Sequence, residues 1–429
     1  MPALLRMRLM VAVALFVAIS SAVAQSAAPK PRTSVVSDAE VERVTREAIL
    51  IDTHNDVPTQ IMDDNYDIGT PMLKGRQTDL AHMKGFLSAE FFAVFVDAKY
   101  VEGNHSANRA MEMIDAVRTS VVAKYPNDFV LATAADDILK AHKDHKIAAL
   151  MGIEGGHAIE DSLRLLRDYY ALGVRYMTLT HFNTNNWADA QGDFNNPNVK
   201  HHNGLTPFGK DVVREMNRLG MMVDISHTAD KTFYDALEVS TAPIIASHSS
   251  CRAVSNHTRN MTDDMIRALA AKGGTMQINF DCEYVSQKYL DASLASRAEE
   301  RPLLAEARKI ADPAERAAAV KKITADENAK LPPVTLAEIV EQIDHAVKVG
   351  GIDHVGIGTD FDGVGCVPEA LTSYDKFPLL TRALLEKGYS AEDIKKIYGG
   401  NLLRVMRAVE DRAKELRPEP AIMSKVDKQ

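Results

Sequence analysis

The sequence predicts an α/β protein, a parallel (β/α)8 TIM barrel in a single domain with loop and helical insertions. Short apolar runs of β character alternate with helical segments, and eight such runs can be counted. Polar residues cluster just after the C-terminal ends of many different runs. An open doubly wound sheet shares the alternation, but it gathers its site at one switch point instead of around a rim. The 429-residue length suits a barrel with insertions, and 46% hydrophobic with 25% charged residues is a globular composition.

Ahead of the fold, Arg6 and Arg8 precede an apolar run from Leu9 to Ile19, and Ala22-Val23-Ala24 follows as a small-x-small site. Residues 1–24 are therefore expected to be a secretory signal peptide cleaved after Ala24, the run being short for a bilayer span. Removing it takes two arginines and no acid, so the net charge moves from −9 to −11, which argues against nucleic-acid binding. Residues 25–37, rich in Ala, Pro, Lys and Ser, are expected to be a flexible lead-in. Residues 417–429 are expected to be a frayed polar tail. Cys251, Cys282 and Cys366 do not indicate a disulfide framework, although export permits one bridge.

The domain is expected over 38–416, opening with a helix at 38–48. Strands are expected at 48–52, 89–96, 147–153, 176–180, 222–225, 243–247, 275–279 and 355–358. Helices are expected between them at 162–172, 209–219, 231–239, 263–271 and 336–348, with a last one at 400–416 packing on the barrel. Two insertions interrupt the alternation. Residues 183–203, rich in Asn and Asp and holding the single tryptophan, Trp187, read as a loop over the mouth. Residues 287–330, rich in Ala, Glu, Lys and Arg, read as an exposed helical excursion before the last strand.

The chemistry starts at Ile51-Asp52-Thr53-His54-Asn55-Asp56, where His54 and Asp56 are two residues apart on extended backbone and point the same way. Alone, a His-x-Asp pair is common. The other strand ends add Glu154 in Gly152-Ile153-Glu154-Gly155-Gly156-His157, His227 in Asp224-Ile225-Ser226-His227, and His248 in Ser247-His248-Ser249. Five O and N ligands are too many for one catalytic zinc and suit two, if Glu154 bridges them. His181 and Asp360 fall on the same rim, where hydrolysis needs a group polarising the carbonyl and a base for water. Asp362 is a second candidate for the base. His157 is read as a structural partner at a tight turn, His257 as a loop residue near the pocket, and His201 and His202 as solvated. Cys251 is read as packing, and Arg259 by itself as a surface ion-pair partner.

Taken with Leu179-Thr180-His181, Arg259-Asn260, Asp360-Phe361-Asp362-Gly363 and Gly400-Asn401-Leu402-Leu403-Arg404-Val405, these segments run in order over residues 38–410. In that set the chain resembles the membrane (renal) dipeptidases, zinc metallopeptidases of the amidohydrolase-like barrel superfamily. The resemblance implies two Zn²⁺, one on His54 and Asp56, the other on His227 and His248, bridged by Glu154. It implies attack on the peptide carbonyl by a metal-bridging hydroxide, with Asp360 as proton carrier, His181 stabilising the oxyanion and Arg259 pairing with the substrate carboxylate. The substrates implied are dipeptides, including those with a C-terminal D-residue. A homodimer is also implied. Animal members carry a lipid-anchor signal that residues 418–429 do not match, so the expectation is a protein without a stable membrane anchor, in a bacterial periplasm. Two other readings are a related barrel amidohydrolase acting on a β-lactam or an N-acyl amino acid, and an inactive metal-binding protein.

Overall fold

The structure, a computed structural model, describes residues 29–426; the expected signal peptide lies outside the described residues. All eight expected runs are strands: β1 (Ile51–Asn55), β2 (Ala89–Phe95), β4 (Ile147–Glu154), β5 (Val174–Thr178), β6 (Met222–Asp224), β7 (Ile245–Ser249), β8 (Thr275–Ile278) and β9 (Val355–Ile357). A ninth strand, β3 (Phe129–Leu131), was not expected. It pairs with Ile147–Ala149 at the start of β4, a stretch that β5 leaves free because its own pairing begins at Met151.

The other strands run β1-β2-β4-β5-β6-β7-β8-β9, every neighbouring pair parallel. The ring closes through a bridge between Asn55 and Phe361, with Asp360 N–H donating to the His54 carbonyl at 3.1 Å and Asp56 N–H to the Phe361 carbonyl at 2.9 Å. β4 is buried along its whole length, as expected for a parallel strand with both faces covered. β1 is displaced from its expected place: pairing starts at Ile51 and carries the polar Thr53-His54-Asn55 inside the strand, where all are buried.

Helix Asn401–Leu416 closes the bottom of the barrel. Its Leu402, Leu403, Val405 and Met406 belong to one apolar cluster with Ile51, Phe91, Leu150, Tyr176 and Ile245 from the barrel interior. Asn401 fastens it by donating from Nδ2 to the carbonyls of Ile352 and Val355. Helices Gln287–Ala307 and Pro313–Asn328 pack on each other as the expected excursion, joined by Ser296 to Glu327 at 3.1 Å.

Both ends of the described chain are held down. Arg32 N–H donates to the Glu386 carbonyl, Arg382 to the Val36 carbonyl, and the Val36 side chain is buried. Beyond the last helix, Ile422 donates to Glu215 and accepts from Arg167. Cys282 and Cys366 form a disulfide, while Cys251 is free and buried. Among the described residues no helix is long and apolar enough to cross a membrane.

The loop after β5 departs from its polar composition, because Trp187 is fully buried. The indole packs edge-on to Phe208 and lies so close to Gly156 and Gly209 that a Cβ at either would collide with Trp187. At the rim, Gln191 N–H donates to the His227 carbonyl at 2.8 Å, so the loop borders the mouth while anchored from beneath.

Candidate metal centre

Four strand ends, those of β1, β4, β6 and β7, deliver His54, Asp56, Glu154, His227 and His248 to one place, all of them buried. Asp56 is the N-cap of helix Val57–Asp64, yet its side chain caps nothing and lies with Oδ2 3.3 Å from His54 Nε2. Glu154 ends β4, and Gly155 turns the chain away at φ 101°, a conformation that favours glycine. His227 and Asp360 sit at φ 65° and 61°, the left-handed region that few side-chain-bearing residues adopt, Asn, Asp and His most often.

The Glu154 carboxylate is the hub. Its Oε2 lies 3.5 Å from His54 Nε2. Its Oε1 lies 3.0 Å from His227 Nε2, 3.3 Å from His248 Nε2 and 3.9 Å from His181 Nε2. Three overlapping groups have donor atoms within 4.8 Å of one another: His54, Asp56 and Glu154; Glu154, His181 and His227; and His54, His248 and Asp360.

The residues fit bound cations. His54 Nε2 is buried without a hydrogen-bond partner, and the Nε2 atoms of His227 and His248 face each other at 2.9 Å. Two imidazole nitrogens aimed at one carboxylate and at each other ask for positive charge between them. Burial, with Arg259 adding to it, holds His227 and His248 well below the usual histidine pKa, which keeps them neutral as metal ligands require. At His54 burial acts the same way, but Tyr176, Glu154 and Asp56 outweigh it and draw positive charge to the ring.

Asp360 accepts from Asn279 Nδ2 at 2.8 Å, and burial pushes its pKa well above the carboxylate range. Asp362 is fastened instead: its N–H donates to Gln77 Oε1, and its Oδ1 accepts from Gln77 N–H. Only Asp360 of the two falls in a donor group with His54 and His248. Both line a cavity of about 370 Å³ that also meets Asp56, Glu154, His181 and His227. Phe95 and Phe182 stand edge-on to His181 in its wall.

Arg259 is not a surface ion-pair partner. It is buried behind β7, donating from Nη1 to Ser249 Oγ at 2.7 Å and from Nη2 to the His248 carbonyl at 2.6 Å, with its guanidinium 5.7 Å from the Tyr284 ring centre. His257 accepts from Arg259 N–H and does not line the cavity. His157 Nε2 donates to the Val96 carbonyl, the structural role expected. His202 departs from the solvated reading, since its Nε2 bonds the Asn185 carbonyl at 2.8 Å and pins the Trp187 loop; His201 is exposed. Cys251 is buried, and burial pushes its thiol pKa up, in line with packing.

Several contributors were not singled out from the sequence. Asn279, at the end of β8, carried a usable signal, being a polar residue at a strand end like the others. Asp281 and Tyr284 line the cavity from the segment after β8, and burial raises Asp281 to about 7. Tyr176 reaches the back of His54 across Gly152, where an added Cβ would fall inside the phenol ring. Nothing in the sequence marks that crossing.

The sequence signature described as membrane dipeptidase (peptidase family M19) matches residues 38–419. An uncharacterized dipeptidase of Schizosaccharomyces pombe is 34% identical over 389 residues, covering 86% of this chain and 83% of that protein. Among solved structures, the probable dipeptidase PvdM from Pseudomonas aeruginosa superposes with a TM-score of 0.75 at 28% identity, covering 88% of this chain and 99% of that one. A metallo peptidase from Rhodobacter sphaeroides, liganded with a phosphinate mimic of the dipeptide L-Ala-D-Ala, has a TM-score of 0.68 at 23% identity over 85% of this chain and 100% of that one, a likeness of fold. With the signature spanning the whole barrel and its rim, the chain belongs to the membrane dipeptidase family, peptidase family M19.

Proposed function

We propose that this metallopeptidase is an exported dizinc dipeptidase. The observation that carries the reading is the Glu154 carboxylate, with one oxygen toward His54 and the other toward His227 and His248. Such a carboxylate would be shared by two cations, one held with His54 and Asp56, the other with His227 and His248. When bound, the ions supply Lewis acidity toward the peptide carbonyl and lower the pKa of water. Asp360 takes the proton from the attacking water and returns it to the departing amine, a role suited to a carboxyl whose pKa burial has raised. His181 faces the oxyanion from the cavity wall. Arg259 receives the substrate carboxylate after its buried guanidinium exchanges the Ser249 hydroxyl for it.

The small cavity supports the restriction to dipeptides, and the tolerance for a C-terminal D-residue rests on the family resemblance. Export is supported by the Cys282–Cys366 disulfide, which persists in oxidising compartments. Purified protein is expected to hold two zinc ions per chain, to hydrolyse dipeptides of either C-terminal configuration, and to lose turnover with a chelator. A tripeptide cleaved at a comparable rate, or fewer than about one zinc per chain, refutes the reading.

A further inference from the structure

Behind the rim, the ligand histidines His54 and His248 each touch a hydroxyl group through Nδ1. The Tyr176 hydroxyl lies 3.0 Å from the Thr53 carbonyl and 2.8 Å from His54 Nδ1. With the single phenolic proton donated to the Thr53 carbonyl, which can only accept, the phenol oxygen accepts from His54 Nδ1–H. A neutral imidazole protonated at Nδ1 is bare at Nε2, the atom that is buried without a hydrogen-bond partner beside Asp56 and Glu154.

The second arrangement works by the same count. Asp224 accepts four hydrogen bonds: at Oδ1 from the N–H groups of Ser226 (3.1 Å) and Ser247 (2.8 Å), and at Oδ2 from the hydroxyls of Thr178 (2.5 Å) and Ser247 (2.6 Å). With the Ser247 hydroxyl donating to Asp224, its oxygen, 2.8 Å from His248 Nδ1, accepts from that ring. His248 is left bare at Nε2, 3.3 Å from Glu154.

We propose that these two relays, Thr53–Tyr176 and Asp224–Ser247, are positioning devices that hold His54 and His248 in the Nδ1–H tautomer, so that both present bare Nε2 atoms for metal. The proposal rests on the metal-centre reading above. Both devices follow from strand register. Tyr176 stands opposite Gly152 on β4, where the missing side chain gives the ring its passage. Thr178 stands opposite Asp224 on β6, where its hydroxyl fills the last acceptor site. A histidine in the other tautomer carries a hydrogen where the ion must bind.

The sharpest test is Asp224→Asn. The side-chain oxygen keeps the two backbone N–H groups, and the new NH₂ faces the hydroxyls. Ser247, now receiving a hydrogen bond, turns its own proton to His248 Nδ1 and moves the ring to the Nε2–H tautomer. In metal-stripped protein labelled with ¹⁵N-histidine, NMR is expected to report a neutral Nδ1–H ring for His248 in the wild type and an Nε2–H ring in Asp224→Asn. Zinc affinity, measured by competition with a chromophoric chelator, is expected to fall about 10- to 100-fold in Asp224→Asn and in Tyr176→Phe. Ser247→Ala loses the relay and Ser247→Thr restores it, a pair that carries the test if Asp224→Asn does not fold. A folded Asp224→Asn or Ser247→Ala with wild-type tautomers and wild-type affinity overturns the relays alone. Wild-type protein that binds no zinc overturns the metal-centre reading, and the relays with it.

Discussion

The Cys282–Cys366 disulfide ties together two walls of the cavity, and its removal has a calculable consequence. Cys282 opens the short helix Cys282–Val285, which carries Tyr284 and follows Asp281; Cys366 ends the segment that begins with Asp360 and Asp362. The cross-link spans 84 residues of chain. Constraining a loop of that length removes about 15 cal/mol/K from the unfolded ensemble, or about 4.6 kcal/mol at 25 °C. Alanine is the replacement of choice, because Cys282 is fully buried and serine would leave a hydroxyl without a partner. The backbone bond from Cys282 N–H to the Cys366 carbonyl, at 3.3 Å, remains as the sole polar tie between the two residues.

The assay is urea unfolding of wild type and the Cys282→Ala/Cys366→Ala protein, with and without a phosphine reductant and with zinc held constant. The double variant should unfold at a markedly lower midpoint. Reduced wild type should approach it, and the variant itself should ignore the reductant. Because the cross-link holds the cavity walls and not the ligands, KM should rise more than kcat falls. A midpoint equivalent to less than about 1 kcal/mol below wild type refutes the chain-entropy argument. Equal sensitivity of both proteins to reductant refutes the assignment of the effect to this bond.

Gly152→Ala places a methyl inside the Tyr176 ring, so it should cost about 1–3 kcal/mol by overpacking and lower metal occupancy, both readable by calorimetry and metal analysis of one sample. Asp360→Asn should keep its metals and its fold while kcat falls about 10²- to 10⁴-fold; loss of metal instead would move Asp360 from base to ligand. Burial lowers the His157 pKa to about 4 from 6.5, so its contribution is fully present above pH 6.5 and is lost as pH falls toward 4. The window is worth up to about 3 kcal/mol, and His157→Gln should flatten the stability–pH slope there, as measured by denaturation at fixed pH steps.

The barrel was legible because parallel strands covered on both faces are near-continuous apolar runs, and β2 and β4 stand out as such. Where that signal fails, strand and sequence pattern part. β1 starts three residues after the start of its apolar run, and Thr53-His54-Asn55 look like loop, although Asn55 is satisfied inside by Thr78, Tyr374 and Val57 N–H. β3 has no pattern of its own, because three residues are too few to show a period. The Trp187 loop has a solvent-exposed composition, and its burial depends on Gly156 and Gly209, which come from other elements.

The same distinction runs through the site. Ligands must be His, Asp or Glu, must end a strand, and must be free to face the mouth, so chemistry and position announce them together. The groups that set their protonation need none of those marks. Tyr176 lies mid-strand between Arg175 and Met177, and Thr178 and Ser247 are small hydroxyl residues of a kind found in any strand. They act through who stands opposite whom: Gly152 beside Tyr176, Asp224 beside Thr178. Register is a property of pairs of strands, and a single chain read in order does not contain it until the barrel closes. Substitutions that leave every ligand in place, such as Gly152→Ala or Asp224→Asn, are therefore the ones expected to disable the centre without touching anything its sequence motifs display.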